Sequence, residues 1–289
     1  MLSIKDLSLK YDNEYILSDI SFTVKRREIL GLLGPNGAGK SSIIKILAGL
    51  VKPRSGSLTL DEESLSFEDL RAKCGYLIDS PSYYPHLSAF NNLKLIERIN
   101  YTKVDCKKLL GLVGLGDVGK KKVRHFSTGM KQRLSIATAI MRSPELLILD
   151  EPFNGLDPNG YQDIINLLKD LNACGTTIIV SSHLLDELEQ FATAFVLINK
   201  GKIALNISKT NLMKSNRKVT LTFSKDFNAS AEALIMEKEG IFISNRVVEL
   251  TIKPEEIGPI INALVVSGSI PINIETHTIL QDTYFELAR

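Results

Sequence analysis

At 289 residues the chain has room for one large domain and one small one, each with its own core. Its 44% hydrophobic and 24% charged residues are those of a soluble globular protein, and a net charge of +2 is too small to argue for a nucleic-acid partner. No apolar run approaches the ~20 residues that span a bilayer, and Met1-Leu2-Ser3-Ile4-Lys5-Asp6 lacks a signal-peptide core, so a cytoplasmic chain is expected. Cys74, Cys106 and Cys174 are odd in number, scattered and without a C-x-x-C pair; they read as reduced thiols packed like small apolar residues.

Leu2 to Val24 alternates apolar and polar residues around Asp12-Asn13, which predicts a strand pair. Tyr11, just before that turn, can stack on a purine face or be an ordinary strand tyrosine, and both readings stay open. The apolar run Ile29 to Leu33 then leads into Gly34-Pro35-Asn36-Gly37-Ala38-Gly39-Lys40-Ser41-Ser42 and the helical pattern Ile43 to Leu47. Strand, glycine-rich loop and helix make a phosphate cradle, in which backbone N–H groups and the positive helix end converge on one anion. Lys40 is placed for the β- and γ-phosphates and the Ser41 hydroxyl for Mg²⁺.

Alternation resumes at Ser57 to Asp61, and Lys73 to Ile78 predicts a buried strand ending at Asp79. Amphipathic helical runs follow, Ala89 to Ile99 and Val104 to Leu112, as an insertion that ends at Phe126-Ser127-Thr128-Gly129-Met130-Lys131-Gln132-Arg133 and a helix to Met141. Leu146-Leu147-Ile148-Leu149 runs into Asp150 and Glu151, an apolar strand with acids at its carboxyl end, where open α/β sheets place their chemistry. Asp150 would hold Mg²⁺ through water and Glu151 polarise the water that attacks the γ-phosphate. After a turn at Asn154-Gly155-Leu156-Asp157-Pro158 come a helix, Tyr161 to Leu171, and the strand Thr176 to Val180. His183 then follows that strand, within reach of the γ-phosphate or the water. A helix from Leu185 to Phe191 and a strand pair around Asn199-Lys200-Gly201 complete this part. Beyond about Thr210, strand-like Lys218–Phe223, Arg246–Ile252 and Ile270–Glu275 alternate with helical Ala229–Glu239, Pro254–Val266 and Leu280–Ala288, a compact α+β pattern.

Gly34 to Ser42, Phe126 to Gln132, Leu147 to Pro152, Gly155 to Pro158 and Ser182-His183 together resemble the Walker A, signature, Walker B, D-loop and H-loop motifs of an ATP-binding-cassette (ABC) transporter ATPase. The resemblance covers Met1 to about Leu205. It implies an α/β fold, a P-loop NTPase core of mostly parallel sheet with antiparallel β strands and a helical subdomain at about 80–143. That nucleotide-binding domain would take residues 1–209, and a small C-terminal α+β domain residues 210–289. By the same resemblance Lys40, Glu151 and His183 are catalytic. Tyr11, Asn36, Gly37, Gly39, Lys40, Ser41, Ser42, Ser127, Gly129 and Asp157 bind ATP, and Ser41, Asp79 and Asp150 serve the Mg²⁺. Ser127 and Gly129 would complete the site of a second cassette, so two chains, identical or not, sandwich two ATP molecules. An integral membrane permease subunit is the other implied partner, with the ATPase at the inner face of the cell membrane.

Two departures mark the chain. Thr128 and Met130 stand where the signature usually has glycine and glutamine, and Asp79 stands where the family usually has glutamine. An ionised carboxylate accepts hydrogen bonds but cannot donate them, so Asp79 adds negative charge on the metal side. These features, with Tyr84-Pro85 and the appended C-terminal part, resemble the bacterial subgroup that exports peptide antibiotics and lantibiotics. Pro81, Tyr83, Tyr84, Pro85 and Leu87 would then form an apolar, aromatic patch for the membrane subunit. The alternative is a cytosolic ABC ATPase of repair, translation or cluster assembly; the single cassette and the lack of long basic or coiled-coil insertions disfavour repair and translation, and the aromatic patch favours a membrane partner.

Overall fold

The computed structural model describes residues 1–78, 83–101 and 103–288. They divide into two compact units, Met1–Asn206 and Ile207–Arg289. The first unit runs β1 (Leu2–Tyr11), β2 (Glu14–Val24), β3 (Ile29–Leu33), α1 (Lys40–Leu47), β4 (Ser55–Leu60), β5 (Glu63–Ser64), α2 (Phe67–Lys73), β6 (Cys74–Leu77), α3 (Ala89–Ile99), α4 (Cys106–Leu112), α5 (Thr128–Ile140), β7 (Leu146–Leu149), α6 (Pro158–Ala173), β8 (Thr177–Ser182), α7 (Leu185–Glu189) and β9 (Ala194–Asn199), and ends within β10 (Lys202–Ser208).

Two sheets result. β1 and β2 form the expected hairpin, turned by Asp12 and Asn13 in left-handed backbone, and β4 and β5 extend it in the order β2-β1-β4-β5. The second sheet has the order β10-β9-β3-β8-β7-β6, and its β9, β3, β8, β7 and β6 are parallel. Its central strands are apolar without alternation because both faces are covered; every residue of β3, β7 and β8 is buried. Ile43, Ile44, Ile46 and Leu47 of α1 share one apolar cluster with Leu2, Ile4 and Leu7 of β1, Leu17 and Ile20 of β2, and Leu32 and Val196 of the parallel sheet.

Parallel pairing puts the carboxyl ends of β3, β7 and β8 on one edge, which gathers Gly34, Asp150 and His183 there. The helical insertion carries α3, α4 and α5, and their starts are set by Ser88, Asp105 and Ser127, whose side chains accept from backbone N–H groups of the first turn. Helix α2 does not show in the apolar periodicity. A capping box of Ser66 and Asp69 starts it, a sequence signal in its own right.

The second unit contains α8 (Lys209–Lys214), β11 (Arg217–Phe223), α9 (Ala229–Glu237), β12 (Ile241–Ser244), β13 (Val247–Ile252), α10 (Ile257–Val266), β14 (Pro271–Thr278) and α11 (Ile279–Ala288). From β11 to β14 the order is βαββαβ, and the antiparallel sheet reads β12-β13-β11-β14, the split β-α-β arrangement of ferredoxin-like folds. Val219, Leu221 and Phe223 of β11 and Val248, Leu250 and Ile252 of β13 meet Ala231, Ile235, Ile260 and Leu264 of the helices. β12 escapes sequence reading because all its residues are exposed and it is only four residues long.

The expectation of uniformly packed cysteines needs correction, because Cys106 is buried, Cys74 half-buried and Cys174 exposed. Burial pushes the Cys74 thiol up to about 11 and raises Cys106 as well. Iodoacetamide near pH 8 therefore modifies Cys174 alone in the folded protein, and intact mass shows a single adduct until denaturant exposes the other two.

Candidate active site

The loop between β3 and α1 is held by close packing that only glycine allows. Gly34 has φ +151° and Gly39 φ +112°; a Cβ on the first would lie 2.3 Å from the Ile198 carbonyl oxygen, and on the second 2.7 Å from Leu17 Cδ2. Gly39 is also the N-cap of α1 and offers no side chain to its free N–H groups. A cavity of about 320 Å³ opens there, lined by Asn36, Gly37, Gly39, Lys40, Ser41 and Ser42 of the loop together with Glu151 and His183.

Lys40 is only 5% exposed. Its ammonium donates to the Gly34 carbonyl at 2.6 Å and the Pro35 carbonyl at 3.3 Å, and lies 3.6 Å from Glu151 Oε1. Burial pulls its pKa below the usual lysine range, with Glu151 and Asp150 acting in the opposite direction. A buried cation beside an uncapped helix start is a donor set for an anion, and the triphosphate of a nucleotide fits it.

Of the two acids after β7, Glu151 lines the cavity and Asp150 does not. Asp150 continues the strand, its N–H donating to the Leu77 carbonyl at 2.8 Å. Glu151 then turns into left-handed backbone at φ +45°, which brings its carboxylate round to the cavity. His183 Nδ1 lies 2.9 Å from Glu151 Oε2. Asp150 is 8% exposed and its Oδ1 accepts from the Ser181 hydroxyl at 2.6 Å. The Ser41 hydroxyl on the cavity wall and the Asp150 carboxylate behind it are oxygens of the kind that suit a hard cation such as Mg²⁺.

Other expected residues are placed elsewhere. Tyr11 ends β1, is 51% exposed and does not line the cavity; Ile16 and Asn154, absent from the expected set, do. Ser127 and Gly129 lie at the start of α5, Ser127 as its exposed N-cap, and neither lines the cavity of its own chain. Asp157 caps α6, its Oδ1 accepting from the Gly160 N–H at 3.0 Å. The signature and the turn before Asp157 are packed together: a Cβ on Gly155 would stand 3.1 Å from Thr128 Cγ2, and one on Gly129 3.3 Å from Leu156 Cδ2. Asp79 and Pro81 lie outside the described residues. Of the remaining patch, Tyr84 is 52% exposed, but Tyr83 is half-buried with its hydroxyl donating to Ser135 of α5 at 3.1 Å.

The model of the ABC transporter family matches residues 17–154, which take in the phosphate loop, Ser127, Gly129, Asp150 and Glu151. The lantibiotic transport ATP-binding protein SrtF of Streptococcus pyogenes is 43% identical over 206 residues, 71% of this chain and 90% of SrtF. The chain belongs to the ABC transporter family of ATPases. The bacitracin transport ATP-binding protein BcrA of Enterococcus faecalis is 36% identical over 239 residues, 81% of this ABC ATPase and 78% of BcrA. The dimeric structure of MJ0796, a bacterial ABC transporter cassette, matches with a TM-score of 0.64 at 25% identity, covering 72% of this chain and 98% of that one. The P-loop NTPase fold of the first unit and the binding and hydrolysis of ATP follow from membership of this family. Among the described residues no helix is long and apolar enough to cross a membrane.

Proposed function

We propose that this ABC ATPase powers export of a peptide antibiotic, of the lantibiotic or bacitracin type, through a separate integral membrane subunit, and that it works as an ATP-sandwich dimer at the inner face of the cell membrane. The names of SrtF and BcrA support the cargo class, and the dimeric MJ0796 cassette supports the pairing. The single observation that carries the catalytic part is the buried Lys40 with Glu151 and His183 around one cavity.

In this reading the loop amides and Lys40 take the phosphates. Lys40 leaves the Gly34 and Pro35 carbonyls and turns from Glu151 to the β- and γ-oxygens, which frees Glu151 Oε1 to accept a proton from the attacking water. His183 holds Oε2 and keeps the carboxylate aimed. The Ser41 hydroxyl and, through water, Asp150 would hold Mg²⁺, with Asp79 adding charge on that side, and the ion would supply positive charge against the phosphate oxygens. Tyr11 stacks on the adenine. Ser127 and Gly129 of a second chain close over the γ-phosphate, with Asp157 beside them; standing clear of their own cavity, they are available to another chain.

The membrane subunit is expected to dock on the exposed Tyr84 and Pro85. Affinity capture of the tagged protein from membranes of the source cell recovers an integral membrane protein, and Tyr84→Ala lowers that recovery about tenfold with ATP binding unchanged. Recovery of soluble proteins only would place the chain among cassette ATPases without a transport role.

A further inference from the structure

Ser181 is the most completely enclosed hydroxyl near the site, at 0% exposure in a central parallel strand. A hydroxyl in such a place destabilises the fold unless its hydrogen bonds are made. Here both are made, and both go to the catalytic edge. Ser181 Oγ donates to Asp150 Oδ1 at 2.6 Å and accepts the N–H of Glu151 at 2.9 Å. That N–H belongs to a residue at φ +45°, a left-handed conformation disfavoured for a side chain with a Cβ.

We propose that Ser181 is a positioning residue for ATP hydrolysis, one hydroxyl that sets the Asp150 carboxylate and the left-handed turn at Glu151 in a single geometry. The inference rests on the proposed roles of Asp150 and Glu151. Occupying Oδ1 leaves Oδ2 as the oxygen for metal-bound water, and fixing the Glu151 backbone directs its carboxylate between Lys40 and His183. Hydroxyl and carboxylate are joined by a short, charge-assisted bond, so the pair is stiff as well as oriented. Ser182, the next residue, faces away from these acids. Its hydroxyl donates to Glu187 at 2.9 Å and accepts the Leu184 N–H at 3.0 Å.

Ser181→Ala in the full chain is expected to lower kcat about 10- to 100-fold, with KM for ATP and the affinity for ATP without metal changed less than about threefold. Ser181→Thr, which keeps the hydroxyl and suits a strand, restores kcat to within a few-fold of the starting protein. Thermal melting of both variants is followed, because a merely structural serine would lower the midpoint without splitting kcat from KM. If Ser181→Ala hydrolyses ATP at the unaltered rate, or if Ser181→Thr is as slow as Ser181→Ala, the positioning role is wrong. Glu151→Gln run alongside separates the two readings: should it also hydrolyse normally, the catalytic assignment itself fails, whereas loss in Glu151→Gln with none in Ser181→Ala removes only the positioning role.

Discussion

Glu151→Gln lowers ATP turnover by about 10²- to 10⁴-fold, the usual contribution of a positioned general base, and leaves a protein that accumulates as an ATP-bound dimer. The amide has the shape of the carboxylate and keeps a contact to His183, whose Nδ1 lies 2.9 Å from Oε2 of Glu151 in the unaltered protein, but it cannot take a proton. It also removes a negative charge beside Lys40, where the γ-phosphate would bring more, so the nucleotide is held longer. Because Ser127 and Gly129 do not line their own cavity, retained ATP keeps two chains joined rather than one chain closed. Light scattering after gel filtration with Mg²⁺ and ATP reads the mass directly. A variant that stays monomeric and hydrolyses ATP at the original rate overturns both the base and the two-chain site.

The parts of the site that lie along one stretch of chain are legible in the residues. Gly34 to Ser42 announces its cradle because the glycines, the lysine and the following helix are consecutive, and Asp150 and Glu151 stand out as acids after a wholly apolar strand. What pattern alone does not disclose is how Glu151 reaches the cavity wall that its neighbour Asp150 does not line. The answer is the φ of Glu151 and the Ser181 hydroxyl that holds it, a contact between residues 30 apart in sequence. A signal exists, since serines at the end of the apolar run Thr177 to Val180 demand buried partners, but it does not name the partner. Asn154 and Ile16 are hidden for a similar reason: neither residue type carries a phosphate-site signature, and only folding brings them to the cavity. The aromatic stretch misleads in part. Tyr83 and Tyr84 are adjacent and chemically alike, yet one hydroxyl is bonded to Ser135 while the other ring stays in solvent.

The fold shows the same division between local and non-local information. The parallel sheet is foreseeable from strands alternating with helices, and the β1–β2 hairpin from Asp12-Asn13. The second unit is legible as α+β, but not as a split β-α-β. That arrangement depends on β13 inserting between β11 and β12, and β12 is too short and exposed to declare itself.

Lys40→Met keeps the fold and loses the nucleotide, and the two effects are separable because the lysine serves them oppositely. In the nucleotide-free protein burial drives the pKa of the ammonium down, and this cost is offset in part by two loop carbonyls, by Glu151 at 3.6 Å and by the charge of Asp150. A methionine of similar volume relieves that desolvation while giving up the two hydrogen bonds, so the melting midpoint without ATP is expected to move by no more than ~2 °C in either direction. With ATP the balance reverses. In the proposed site the lost charge would face the phosphates from a buried position, a contact worth about 2–5 kcal/mol when one partner is truncated, which is roughly 30-fold to several-thousand-fold in affinity. At an ATP concentration near 100 times the dissociation constant, the unaltered protein gains about 2.7 kcal/mol of stability, a rise of roughly 5–10 °C for a unit of this size; the variant at the same concentration keeps no more than about a third of it. A midpoint that falls sharply without ATP makes Lys40 a strut of the loop, and an ATP-induced rise that survives the substitution places the phosphates elsewhere.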